Sequence, residues 1–345
     1  APSAGPAPSP GVGLDPALQF TAPPIVTPKS APLIAALPAQ QREAGFAMVG
    51  NLHQRIGDEN LRAGGASDTD RRRAWARLIR TDLDIRQGGG FGSLSDGHLN
   101  GVQVGTDLWA SGDWRAGVYV GRLDGKSNVS ALDLGIWGPV GSSDLRSQYL
   151  GGYATYANAS GFYADFVLQG GHQRYTLTPI LELPVKGKGR SFLASVEVGQ
   201  SFALNPTWKI EPQLQLVHQR VRFDDVTVGG AQVQTDSNDG WLVRVGARIK
   251  GEFPSTLGGV QPYARVNFYH AGGGADTARY IGPLGVALIS SGGGSRSSSE
   301  LAAGVTLTLS PRVSVYGELG KIWSSGGETQ IRSAVQGSLG LRVSW

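Results

Sequence analysis

The chain has 345 residues and a formal net charge of +4, with 52 glycines, eight tryptophans, one methionine and no cysteine. Only 17% of its residues are charged, against about 25% in ordinary soluble domains. These figures exclude a disulfide framework, a cysteine-ligated metal site, an iron–sulfur cluster and a cysteine nucleophile. They fit an all-β chain better than a helical one.

No stretch approaches the roughly 18 consecutive apolar residues of a transmembrane helix. Ala1-Pro2-Ser3 lacks the basic start of a secretory signal, as expected of a trimmed fragment. The basic residues are scattered, and the densest run, Arg71-Arg72-Arg73, follows Asp68 and Asp70. No nucleic-acid partner is expected, because such a partner needs cations gathered on one face.

Residues 1–38 hold 10 of the 19 prolines and eight alanines. That composition predicts an extended, polyproline-like tether. Residues 39–61 follow Pro38 and are sparse in glycine, and Val49, Leu52 and Ile56 share one helical face. They predict a helix of about 34 Å whose narrow apolar face suits a polar tunnel. Arg42, Arg55 and Asp58 are its candidate contacts to charged surroundings. Residues 62–72 read as a polar linker.

From 73 to 345 the hydrophobic period becomes two. Val335, Gly337, Leu339, Leu341, Val343 and Trp345 alternate with small or polar residues, as do Leu301–Leu309 and Trp241–Ile249. Alternation over such lengths predicts half-buried strands, long enough for the 9–11 residues a bilayer-spanning strand needs. Aromatics at strand ends, among them Trp109, Trp114, Tyr156, Trp208, Phe253 and Trp323, suggest interfacial girdles.

Five short connections, near 111–113, 158–160, 205–206, 254–259 and 310–311, alternate with six longer ones at 88–96, 126–146, 177–189, 224–239, 272–298 and 324–328. That predicts twelve antiparallel strands closing a transmembrane barrel, short turns on the periplasmic side and long loops outside. Only Pro212 and Pro262 are expected inside these strands.

The order of tether, helix, linker and twelve strands resembles the translocator β-domain of autotransporters, the type V secretion family. The residues carrying the likeness are Asn51-Leu52-His53-Gln54-Arg55-Ile56-Gly57-Asp58, the run Asp96–Leu108, Pro212–Leu216 and the closing Gly340-Leu341-Arg342-Val343-Ser344-Trp345. The resemblance implies an all-β membrane protein, a 12-stranded barrel in the bacterial outer membrane with the helix in its lumen. It implies export and anchoring of an N-terminal passenger polypeptide, insertion by the barrel-assembly machinery, contact with outer-membrane lipid, and a monomer. Leu339, Leu341, Val343 and Trp345 fall on the family's assembly signal, although the family usually ends in Phe. The Asn–Asn pair at which a subfamily cleaves itself is absent, since Asn51 and Asn60 each lack an Asn neighbour.

Candidate lining residues on the polar face are Glu197, Glu211, Arg244, Arg248, Lys250, Arg265, Glu300, Glu318 and Arg342. Such charges are expected to pair around water and the helix rather than to perform acid–base chemistry. The five histidines show no metal spacing, and no catalytic residue, metal or cofactor is expected. The rival readings are a plain porin or adhesin barrel and an outer-membrane protease built on His218 with Asp224-Asp225. An apolar stretch with Leu132, Leu134, Ile136 and Trp137, and another at 280–289, are expected to fold over the pore mouth, as a grip on passenger chain or as a plug.

Overall fold

The computed structural model describes residues 29–58, 71–89, 92–133, 136–255, 258–283, 285–291 and 295–345. Twelve long strands form the wall: β1 Arg73–Gln87, β2 Ser93–Ser111, β3 Trp114–Asp133, β4 Ile136–Ala157, β5 Phe162–Pro179 and β6 Val185–Gln200. They continue as β7 Trp208–Phe223, β8 Gly240–Gly251, β9 Gly258–Gly272, β10 Arg296–Ser310, β11 Val313–Gly327 and β12 Thr329–Ser344. Every neighbouring pair is antiparallel. β12 returns to β1, with Leu339 opposite Leu78, so the sheet closes and leaves no wall edge.

The two-residue period sets the two faces. Along β3, Arg115, Tyr119 and Leu123 are buried inside, whereas Val118, Val120 and Arg122 are exposed outside. Leu78, Val102 and Leu339 lie in one register row on the exterior, and the apolar exterior forms a belt around the wall. Trp114, Tyr156 and Phe162 pack with tilted rings near the short turns, and Trp208 and Phe253 pack edge to face. Trp241 and Trp323 sit on the exterior nearer the other rim.

The long connections differ from the expectation. Residues 126–133 and 136–146 are strand, so β3 and β4 run 20 and 22 residues and stand well beyond the 9–11 needed to cross a bilayer. The 177–189 connection shrinks to 180–184, and 324–328 to the single residue 328. Pro139 also lies inside a strand, against expectation. It pairs with Ser130 beside a register shift, an irregularity that tolerates its missing N–H. The 224–239 and 272–298 connections carry a second, four-stranded sheet: Val226–Val228, Ala231–Asp236, Thr277–Gly282 and Gly285–Ser290.

The luminal segment also departs from expectation. Helix α1 spans Ser30–Val49, nine residues earlier than the composition suggested, with Pro38 inside it rather than before it. Tertiary burial outweighs the proline cost: Ala31, Leu33, Ile34, Ala36 and Leu37 are each at most 2% exposed. Full burial of each larger side chain contributes about 1.5–3 kcal/mol, against about 3 kcal/mol for an interior proline. Pro32 falls in the first turn, where no intrahelical N–H bond is lost. The helix breaks at Gly50, whose φ of +57° suits glycine. Asn51 and Gln54 form a reciprocal capping box that starts α2, Leu52–Ile56. The expected tether to residue 28, the helix end at 59–61 and the linker to residue 70 lie outside the described residues.

Candidate functional site

The lumen is filled by α1 and α2, and the wall is built to hold them. A helix leaves carbonyls unsatisfied at its C-terminal end; here the strands supply the donors. Arg77 of β1 donates to the carbonyls of Met48, at 2.7 Å, and Ala47, at 3.2 Å. Gln215 of β7 donates to the Gly50 carbonyl at 2.9 Å. The Tyr316 hydroxyl donates to the Arg55 carbonyl. Arg342 of β12 donates to the carbonyls of Ile56 and Asp58 at 2.9 and 3.0 Å. At the opposite end, Glu182 accepts from the backbone N–H groups of Lys29, at 2.6 Å, and Ser30, a carboxylate placed at a helix N-terminus.

Charge locks the α2 end. Asp58 accepts from both terminal guanidinium nitrogens of Arg248 and lies 3.6 Å from Lys250. His53 lies 2.7 Å from Glu211, which is 3.8 Å from Lys250. Arg55 meets Asp165 at 2.7 Å and stacks on Tyr153, 4.6 Å from its centroid. The Leu52 N–H donates to Glu197, which also pairs with Arg244 at 3.1 Å. Gln54 donates to Glu318 at 2.9 Å, and Arg265 bridges Glu318 and Glu300.

All nine candidate lining residues are therefore buried on the inner face. Asp58, Arg55, Leu52 and Ile56 sit among or beside them, and Val49 packs with Trp75, Tyr119 and Tyr153. Arg42 lies apart, at the outer end, paired with Asp276. Sequence reasoning missed Arg77, Tyr316, Gln215, Asp107 and Asp165. Each shares the inward parity of its strand, which was the available signal. Gly105 explains one small residue on that wall: the Trp75 indole occupies the space a Cβ would need.

The pore-mouth expectation needs correction. Leu132 and Trp137, paired across the hairpin, are 59% and 48% exposed and project outward, and Ile136 is 74% exposed on the opposite face of the hairpin tip; Leu134 lies outside the described residues. Their strand neighbours Val129, Ala131 and Val140 point inward instead and join Leu33, Ile34 and Leu37 in one apolar cluster. One face of the four-stranded sheet closes this cluster with Val228, Val233, Ala278, Tyr280 and Ile289. Burial pushes the Tyr280 phenol above its ordinary pKa, so the cap stays uncharged there.

His218 lies on the outer face against Trp241, ring centroids 4.5 Å apart. Asp225 is engaged with Gln232 and Gln234. These groups form no acid–base cluster. Among the described residues, no group of three or more His, Asp and Glu is placed to hold a metal. Leu339, Leu341, Val343 and Trp345 all face outward along the last strand.

Residues 74–320 match the family model described as the autotransporter beta-domain. The pertactin autotransporter of Bordetella bronchiseptica is 32% identical over 245 residues, 67% of this chain and 24% of that protein. The BrkA autotransporter of Bordetella pertussis is 29% identical over 277 residues, 77% of this chain and 25% of that protein. The chain thus spans about a quarter of the length of the curated relatives it matches. Among solved structures, the transport unit of AIDA-I from Escherichia coli superposes with a TM-score of 0.68 at 17% identity, covering 92% of this chain and 99% of that one. The BrkA beta domain of Bordetella gives 0.61 at 22% identity, covering 80% and 100%. A closed twelve-stranded wall, a helix seated in its lumen and a family match over most of the barrel agree: the chain belongs to the autotransporter β-domain family and is a translocator barrel of the bacterial outer membrane.

Proposed function

We propose that this domain exports a passenger polypeptide joined to its N-terminal side and afterwards anchors it at the cell surface. The observation that carries this reading is the direction of the luminal chain. Asp58 is held near the short turns, while Lys29 and Ser30 meet Glu182 at the long-connection rim. Whatever precedes residue 29 in sequence therefore starts from the outer mouth. A lumen occupied by its own helix argues against a plain porin.

Barrel-assembly machinery is the partner for Leu339, Leu341, Val343 and Trp345, and outer-membrane lipid is the partner for the apolar belt. The domain works as a monomer, without a cofactor and without catalytic turnover. A reporter carrying a signal peptide, fused ahead of Ala1, should become sensitive to protease added to intact cells. Deleting residues 30–58 should abolish display or destabilise the barrel. Full display by the deletion variant would overturn the role given to the helix.

A further inference from the structure

Cations scattered in sequence are gathered by the barrel register on one side of the wall. Outside β4–β7, the top of the apolar belt is a row with Leu150, Gly170 and Phe192 in register. The next exposed row up is Gln148, His172, Arg190 and Arg222, and the one above it holds Arg146, Arg174 and Lys188, flanked by Asp124 opposite Arg146 and Asp224 opposite Lys188. Lys186 follows, opposite Thr176. Each row stands about 5 Å above the last, for two residues of a strand tilted by about 40°. On its own strand each of these cations lies about two to six residues beyond the last outward apolar side chain (Leu150, Leu168, Phe192 or Leu216), which sets them at the depth of lipid headgroups.

Three pairs place like charges directly opposite across neighbouring strands: Arg146 with Arg174, Arg174 with Lys188, and Arg190 with Arg222. Such pairs destabilise a sheet unless an anion lies between them. Among the described residues, none of these five cations, nor Lys186, has a carboxylate within salt-bridge distance. Arg146, Arg174, Lys186 and Lys188 line an open cleft of about 1010 Å³ together with Asp144, Asp224 and Asp225. Asp225 is already engaged by Gln232 and Gln234. Because the strands tilt, register rows climb round the wall: the row through Gln148 and Arg190 continues through Arg122 to Val102 and Leu78, deep in the apolar belt.

We infer that this outer flank of β4–β7 binds a lipid whose sugar headgroup carries more than one phosphate, the phosphates among the cations and the acyl chains on Leu150, Leu168 and Phe192. Three or four strands at about 4.8 Å spacing spread the cations over roughly 10–15 Å, so several phosphates of one headgroup are met together. The reading rests on the outward orientation of the long connections in the proposed function. It does not depend on export of a passenger.

The test uses the refolded full chain in a neutral detergent, titrated with bisphosphorylated lipid A and followed by native mass spectrometry. Saturable binding of one or two molecules is expected, weakened by salt. The triple variant Arg174→Gln, Lys188→Gln, Arg190→Gln should bind at least tenfold more weakly, and Lys321→Gln on the opposite flank should bind as the parent does. The single variant Arg190→Gln, with folding checked by heat-modifiable gel mobility, should still lose severalfold in affinity if the triple variant fails to refold. Equal binding by parent and Arg190→Gln would overturn the site. Equal binding of dephosphorylated lipid A would overturn phosphate recognition. Pyrophosphate competing as strongly per phosphate as lipid A would overturn the lipid assignment. Surface display assays report separately on the export reading.

Discussion

Asp58 and Arg248 meet in a two-pronged ion pair at the short-turn end of the lumen, one arm 2.6 Å long, with both side chains at most 1% exposed. Asp58 is the last described residue of the luminal segment, and Arg248 belongs to the wall strand β8. The pair therefore fixes the position of residue 58 relative to the barrel wall.

Removing one member should cost more than the pair contributes. Asp58→Ala leaves Arg248 and Lys250 facing each other without the helix carboxylate, at a cost of about 3–5 kcal/mol. Asp58→Ala combined with Arg248→Ala should cost less than the two singles summed, by about 1–3 kcal/mol. Denaturant unfolding of the refolded barrel measures both.

The break at Gly50 predicts a gating phenotype. Gly50→Ala forces an L residue to hold a φ of +57° with ψ of −147°, costing at least about 1–2 kcal/mol. The added Cβ also approaches Arg77 Nη1 at 2.7 Å, displacing the guanidinium that serves Met48. A shift of that size raises an open population roughly 5–30-fold. Single-channel recordings in planar bilayers should show correspondingly more frequent openings.

The cap separates two sets of apolar residues that the sequence presents together. Leu33→Ser or Leu37→Ser should destabilise the outer half of α1 by about 2–5 kcal/mol and speed amide exchange over residues 30–37. Leu132→Ser and Trp137→Ser, both on the outer face, should leave that exchange unchanged.

Lipid exposure is testable at Leu78, which lies between Val102 and Leu339 on the exterior. Leu78→Arg should cost about 2–4 kcal/mol in vesicles, while Asp82→Arg, nearer the rim, should cost about 0–1 kcal/mol. Equal costs at the two positions would contradict the placement of the belt.

Strand count and inward parity were legible because both depend only on a two-residue period, which Leu339, Leu341 and Val343 display without tertiary help. The lining charges followed from the same parity, though not their partners: Glu197 with Arg244, or Glu300 with Arg265, depends on register between strands. The start of α1 was not legible. Pro32 and Pro38 argue locally against a helix, and only burial beneath the cap reverses that. The loops at 126–146 and 177–189 read as irregular because glycine, serine and charge are frequent there, yet hairpin pairing continues through them. The basic flank was invisible for the same reason, since Arg146, Arg174, Lys188 and Arg222 come from four strands.

The kink at Gly50 also has a mechanical meaning. A pull on residue 29 from outside runs down α1 from its apolar end. It would peel the cap contacts of Leu33 and Leu37 first, one turn at a time. The strain reaches α2 only after passing a joint that does not transmit helical rigidity. There it meets Arg55, His53 and Asp58, each tied to a different strand and strained in parallel. The segment behaves as a short rope knotted at its far end, so drag on anything hanging at the cell surface is shared by the whole wall before it reaches the covalent link to β1.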